Sequence, residues 1–191
     1  MAKKKQTVED QNLENVQEAL NTTSVWIEKN QNKLTWAVTI IVVLVVGALA
    51  LNTYVIKPKA VEASNENAKA VAYFMQGDWE KALNGDDAEC IGFQAVADEY
   101  KCYQAGKLAA LYTGVCYYQM GQFEDAAAYL NKFSADDLTI EPAALQLLGD
   151  AYVQMEDFAK AVKAFEAAAK SGNELIAPMS LKKAGLVYLE L

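Results

Sequence analysis

The sequence predicts an all-α chain: one N-terminal transmembrane helix followed by an α-solenoid of about three to four helical hairpins. Three observations carry this reading. No charged side chain stands between Lys33 and Lys57. From Leu108 onward the chain repeats itself at an offset of 35 residues. Within each repeat, apolar residues recur at three-four spacing in two stretches separated by a short break, the pattern of a helix-turn-helix.

Residues 1–33 form a polar N-terminal segment. Leu13, Val16, Leu20 and Ile27 fall near one helical face, so residues 8–30 are expected either as an amphipathic helix near the membrane or against a partner, or as a partly ordered tail. Lys3, Lys4 and Lys5 either meet anionic headgroups, at about 1 kcal/mol each near the surface, or are simply solvated.

Residues 34–57 are the expected span. A hydrocarbon core of roughly 30 Å takes about 20 helical residues, and Trp36–Ile56 supplies 21. Trp36 and Tyr54 suit the two headgroup levels, Lys33, Lys57 and Lys59 flank the run, and Pro58 is expected to stop the helix. A buried core helix would carry a polar stripe, whereas this run has only Thr39 and the terminal Asn52-Thr53. Ala48-Leu49-Ala50 resembles a signal-peptide cleavage site, but the leading 35 residues hold five acids, where a signal's leading region is short and basic. An uncleaved anchor is expected.

The chain has no histidine, and all seventeen basic residues are lysine. That removes the commonest general base near neutral pH, the commonest metal ligand and the bidentate donor to phosphate and carboxylate. Neither an enzyme nor a metal or cofactor site is expected. Cys90, Cys102 and Cys116, at spacings of 12 and 14, match no zinc pattern and read as small apolar packing residues, with Cys102 the most exposed. Residues 60–191 hold ten lysines against twenty acids, a net charge of about −10. Such a body repels phosphate backbones and anionic lipid alike, which excludes nucleic acid as a partner and sets the domain off the membrane surface.

The repeats lie in residues 60–191. The stretch "LAALYTGVCYYQMGQFEDAAAYLNKF" aligns with "AALQLLGDAYVQMEDFAKAVKAFEAAAK", placing Gly114 on Gly149, Tyr117 on Tyr152, Phe123 on Phe158, Ala126 on Ala161 and Leu130 on Phe165. A partial unit, 178–191, sets Gly185 and Tyr188 a further 36 residues on. A glycine inside a helix costs about 1 kcal/mol relative to alanine. Gly114 and Gly149 are therefore expected to let two helix backbones approach, with the aromatic residues filling the adjoining volume. Upstream, "AVAYFMQGDWEKAL" reads as a degenerate copy within 63–106, its small residue at Ala70, with the excess length in the polar loop "NGDDAECIG" before the helix "FQAVADEY".

Glycine, tyrosine, phenylalanine, alanine and a large apolar residue at these offsets resemble the tetratricopeptide repeat, strongly over 107–141 and 142–177. The whole layout resembles the bacterial YfgM-like family of single-span ancillary subunits of the Sec translocon, in a Bacteroidetes-type branch of membrane-anchored repeat proteins. This resemblance implies a cytoplasmic N-terminus, repeats on the periplasmic side of the inner membrane, and protein partners: the Sec channel, periplasmic chaperones or exported chains. Lysine balance about the span favours that orientation only slightly, since Lys29 and Lys33 stand against Lys57, Lys59 and Lys69, with Lys3 to Lys5 farther away. A cytosol-facing assembly scaffold is the alternative.

By the same resemblance, the second, fifth, ninth and twelfth positions of each first helix line a concave groove. These are Leu108, Leu111, Val115 and Tyr118, then Ala143, Gln146, Asp150 and Val153. Relatives that bind chaperones clamp a terminal carboxylate there with Lys, Asn and Arg; here the lining is apolar with one acid. An apolar or amphipathic segment is the expected ligand, unless these residues pack on the next repeat. Leu111→Lys with Tyr118→Ala is expected to weaken partner capture with little loss of melting temperature. Leu186, Val187 and Leu189 lack a pairing helix, which reads as a longer natural chain or an edge covered by a partner.

Overall fold

The computed structural model describes residues 8–86 and 89–191, with side chains from Val25 onward. The expectations for Lys3 to Lys5 lie outside the described residues, as do those for the side chains of Leu13, Val16 and Leu20. Every named element is helical, and the chain falls into two compact units, 1–55 and 56–191.

The first unit is helix α1 (Val8–Leu51) running into a π-helical turn, Asn52–Ile56. Its apolar residues face outward: Trp36, Val38, Ile40, Val43, Leu44, Leu49 and Leu51 are all more than half exposed. The hydroxyls of Thr35 and Thr39 each donate to the carbonyl four residues back, both at 2.8 Å, as such side chains do within a helix.

Helix α2 (Lys57–Gln76) opens the second unit, with Pro58 in its first turn. This corrects the expectation that Pro58 ends the helical run. In a first turn proline's missing N–H deprives the helix of nothing.

Helices α3 (Trp79–Asn84) and α4 (Gly92–Glu99) follow. The excess length of the degenerate copy lies partly in α4, which packs against α2, α3 and the next helix, α5 (Gln104–Gln119). Ala70, Ala82, Phe93, Val96, Ala109 and Cys116 are buried together in the first core cluster. Phe93 stacks on Tyr112 at 4.8 Å, and Phe74 meets both rings edge-on. A Cβ at Gly106 would collide with the Tyr100 carbonyl, so α5 can begin this close to the end of α4 only with glycine there.

The regular part continues with α6 (Phe123–Leu130), α7 (Ile140–Gln154), α8 (Phe158–Ala169) and α9 (Ile176–Tyr188). Each helix packs on its successor, and α5, α7 and α9 also touch in order, the nearest-neighbour pattern of a repeat array. Two more core clusters follow along the stack, one about Leu130, Leu148 and Ala151, the other about Val162, Phe165 and Ala184. The turn between α5 and α6 has Gly121 at φ 75°, and the matching turn between α7 and α8 has Glu156 at φ 59°.

Candidate functional site

The face to be judged is the one formed by α5, α7 and α9. Leu108, Leu111, Val115, Tyr118, Gln146, Asp150 and Val153 are all half-buried. Leu111 and Tyr118 pack in the second cluster with Leu145, Leu148, Ala151 and Met155. The Tyr118 ring meets Phe123 edge-on at 5.4 Å. Val153 packs on the third cluster. Leu111, Tyr118 and Val153 therefore join one repeat to the next while presenting part of their surface.

The polar members form a short row. Asp150 accepts two hydrogen bonds from Lys183 of α9, at 2.8 and 2.6 Å, across the seam between successive repeats. Lys183 also lies 5.6 Å from the Phe165 ring centroid. Burial, and then the Asp150 charge, push the Tyr118 hydroxyl above its ordinary pKa. The amide nitrogen of Gln146 is buried and has no hydrogen-bond partner among the described residues. Sequence reasoning found Asp150 and missed Lys183; an acid on one first helix and a lysine on the next was the available signal.

The packing residues divide. A Cβ on Gly114 would lie 2.6 Å from Leu130 Cγ and 3.2 Å from the Ala126 carbonyl, and one on Gly149 would lie 2.5 Å from the Phe165 ring. A Cβ on Gly185 would meet nothing within 4 Å. Ala126 and Ala161 are fully buried, Tyr117 lies 5.7 Å from Tyr129, Tyr152 joins the second and third clusters, and Phe158 the third.

Among the cysteines, Cys90 and Cys116 are buried, Cys102 is exposed, and all three are free thiols. Burial pushes the Cys116 thiol up to about 12 and raises that of Cys90 as well. Buried thiols of this kind are inert as nucleophiles.

An array of this geometry has the means to bind: an apolar seam with a few hydrogen-bonding groups, carried on rigid helices. No curated protein matches the chain. Family models of the tetratricopeptide repeat match residues 108–136 and 142–171, the two hairpins α5–α6 and α7–α8. These two hairpins thus match the tetratricopeptide repeat, a helical hairpin known elsewhere as a scaffold for protein–protein contact.

Proposed function

We propose that the chain is a membrane-anchored repeat scaffold, held by Trp36–Ile56 and presenting its repeats to protein partners outside the cytoplasm. The observation that carries the anchor is a helix long and apolar enough to span a bilayer, with none of its apolar window buried by the protein. Such a surface in water is a large exposed apolar patch, whereas in lipid it is at its lowest free energy. The hydroxyl of Thr39, the only polar side chain deep in the run, is satisfied on its own helix, as a medium without water requires.

For the partners, the proposal takes the α5, α7 and α9 face as a groove for an apolar or amphipathic segment. The Sec channel, periplasmic chaperones and newly exported chains are the clients that the layout's resemblance suggests. Lys183 of this face is already paired with Asp150 and is not free to clamp a terminal carboxylate. Leu111 and Tyr118 are packed between repeats, so Leu111→Lys with Tyr118→Ala is now expected to cost about 2–4 kcal/mol of stability along with any partner. Binding is better tested at Ala143, an exposed groove position on α7.

Protease treatment of spheroplasts, followed with an antibody to residues 60–191, tests the orientation. Digestion in intact spheroplasts is expected, after which crosslinking from the exposed position Ala143 is directed to the Sec channel. Protection until lysis would overturn the periplasmic placement and favour a cytosol-facing scaffold, which the near-even lysine balance about the span also suits.

A further inference from the structure

The first and second hairpins keep one register but differ where α6 and α8 meet their first helices. In the first, Tyr129 is buried, its ring 5.7 Å from that of Tyr117. Its hydroxyl donates to Asp98 at 2.9 Å, and Lys132, itself 3.1 Å from Asp98, lies 3.7 Å over the ring. Thirty-five residues on, Ala164 stands for Tyr129, Tyr152 for Tyr117, Lys160 for Asp125 and Lys163 for Ala128. The second hairpin has no ring to fill the place. What remains is an open depression of about 230 Å³ on the surface, bounded by Asn131, Leu148, Tyr152, Lys160, Lys163 and Ala164.

The rim of this depression presents donors to solvent. Asn131 donates from Nδ2 to the Tyr152 hydroxyl oxygen at 3.0 Å, which leaves the hydroxyl proton to go elsewhere, and no acceptor among the described residues takes it. Lys163 makes no ion pair among the described residues. Lys160, held by Asp157 at 2.5 Å, stands 5.4 Å from the Tyr152 ring centroid. In the first hairpin one carboxylate, that of Asp98, answers both the tyrosine hydroxyl and a lysine.

We propose that the depression bounded by Tyr152, Lys163 and Ala164 is a binding site for a carboxylate on a partner's glutamate or aspartate side chain. The identity of the carrier rests on the scaffold reading above; the site itself does not. Leu148 and Ala164 receive the methylenes of such a side chain, while the Tyr152 hydroxyl and Lys163 meet its oxygens by charge-assisted hydrogen bonds.

The test is a titration of the full chain in detergent micelles with N-acetylglutamate α-amide, read by NMR at the Ala164 methyl and the Tyr152 ring. Saturable shifts at both are expected, absent with the N-acetylglutamine analogue and weakened by salt. Lys163→Gln, at an exposed position, is expected to weaken binding about fivefold. Ala164→Tyr, which rebuilds the first hairpin's packing, is expected to abolish it. No saturable shift, equal shifts with the glutamine analogue, a preference for inorganic phosphate, or full binding by Lys163→Gln would each overturn the site. Because the titration uses no partner, saturable binding in a chain that crosslinks to no protein would sink the scaffold reading and leave the carboxylate site standing.

Discussion

Gly149 and Gly185 occupy equivalent places in successive first helices and face opposite surroundings. A methyl on Gly149 would press into the Phe165 ring, whereas one on Gly185 would meet open space. Gly149→Ala is therefore expected to cost about 1–3 kcal/mol through overpacking. Gly185→Ala, which only removes backbone freedom within a helix, is expected to add up to about 1 kcal/mol. Urea unfolding of the two variants checks this, and equal effects would refute the packing argument. The need for a close approach at Gly149 was legible in the sequence, because a mid-helix glycine needs a reason. The open space at Gly185 was not, since what faces a residue depends on the neighbouring helix. At Cys116 burial alone sets a pH dependence. A folded-state pKa of about 12, above that of an exposed thiol, means the contribution is fully present below about pH 9 and is lost as pH rises toward 12. Stability should fall over that window, and Cys116→Ala should fall less steeply; identical slopes would dispose of the effect.

At the scale of the element, three helices begin with the same backbone geometry but not the same cap. Asp78 before α3 and Asp157 before α8 each accept a hydrogen bond from the backbone N–H three residues on, both at 3.2 Å. Gln122 before α6 has nearly the same angles, φ −93° and ψ 72°, and makes no cap bond. Gln122→Asp is expected to stabilise the chain by about 0.5–1 kcal/mol, with the nearby Glu124 and Asp125 holding it to the lower end. A thermal melt with no rise would show that α6 is not limited by its first turn. The hairpins themselves were readable because the 35-residue offset returns each residue type to the same packing position. Helix α4 was readable only as a segment, since its contacts with α2, α3 and α5 belong to no repeated pattern. The Asp150–Lys183 pair was legible only as opposite charges on successive first helices; that they meet depends on the rotation from one repeat to the next, which core packing sets and sequence spacing does not encode.

For the whole molecule, the decisive contrast is between the uncharged helical stretch 34–56 and an acidic repeat body. The body holds a buried apolar core of its own, in three successive clusters. The helix buries none of its apolar window. If that helix lies in a bilayer, its stability there depends on residues that contribute nothing to the repeats, and the two properties can be separated by substitution. Val43→Arg with Leu44→Arg places two charges near the middle of Trp36–Ile56, at about 2.5–3.5 kcal/mol each on an insertion scale. Most of the protein should then move from the alkaline-carbonate pellet to the supernatant, while the melting transition of the repeats stays where it was. A variant that remains in the pellet would remove the anchor from the proposal. A repeat transition lowered along with membrane release would show instead that the helix supports the repeats, and the exposed apolar surface would need a protein to cover it.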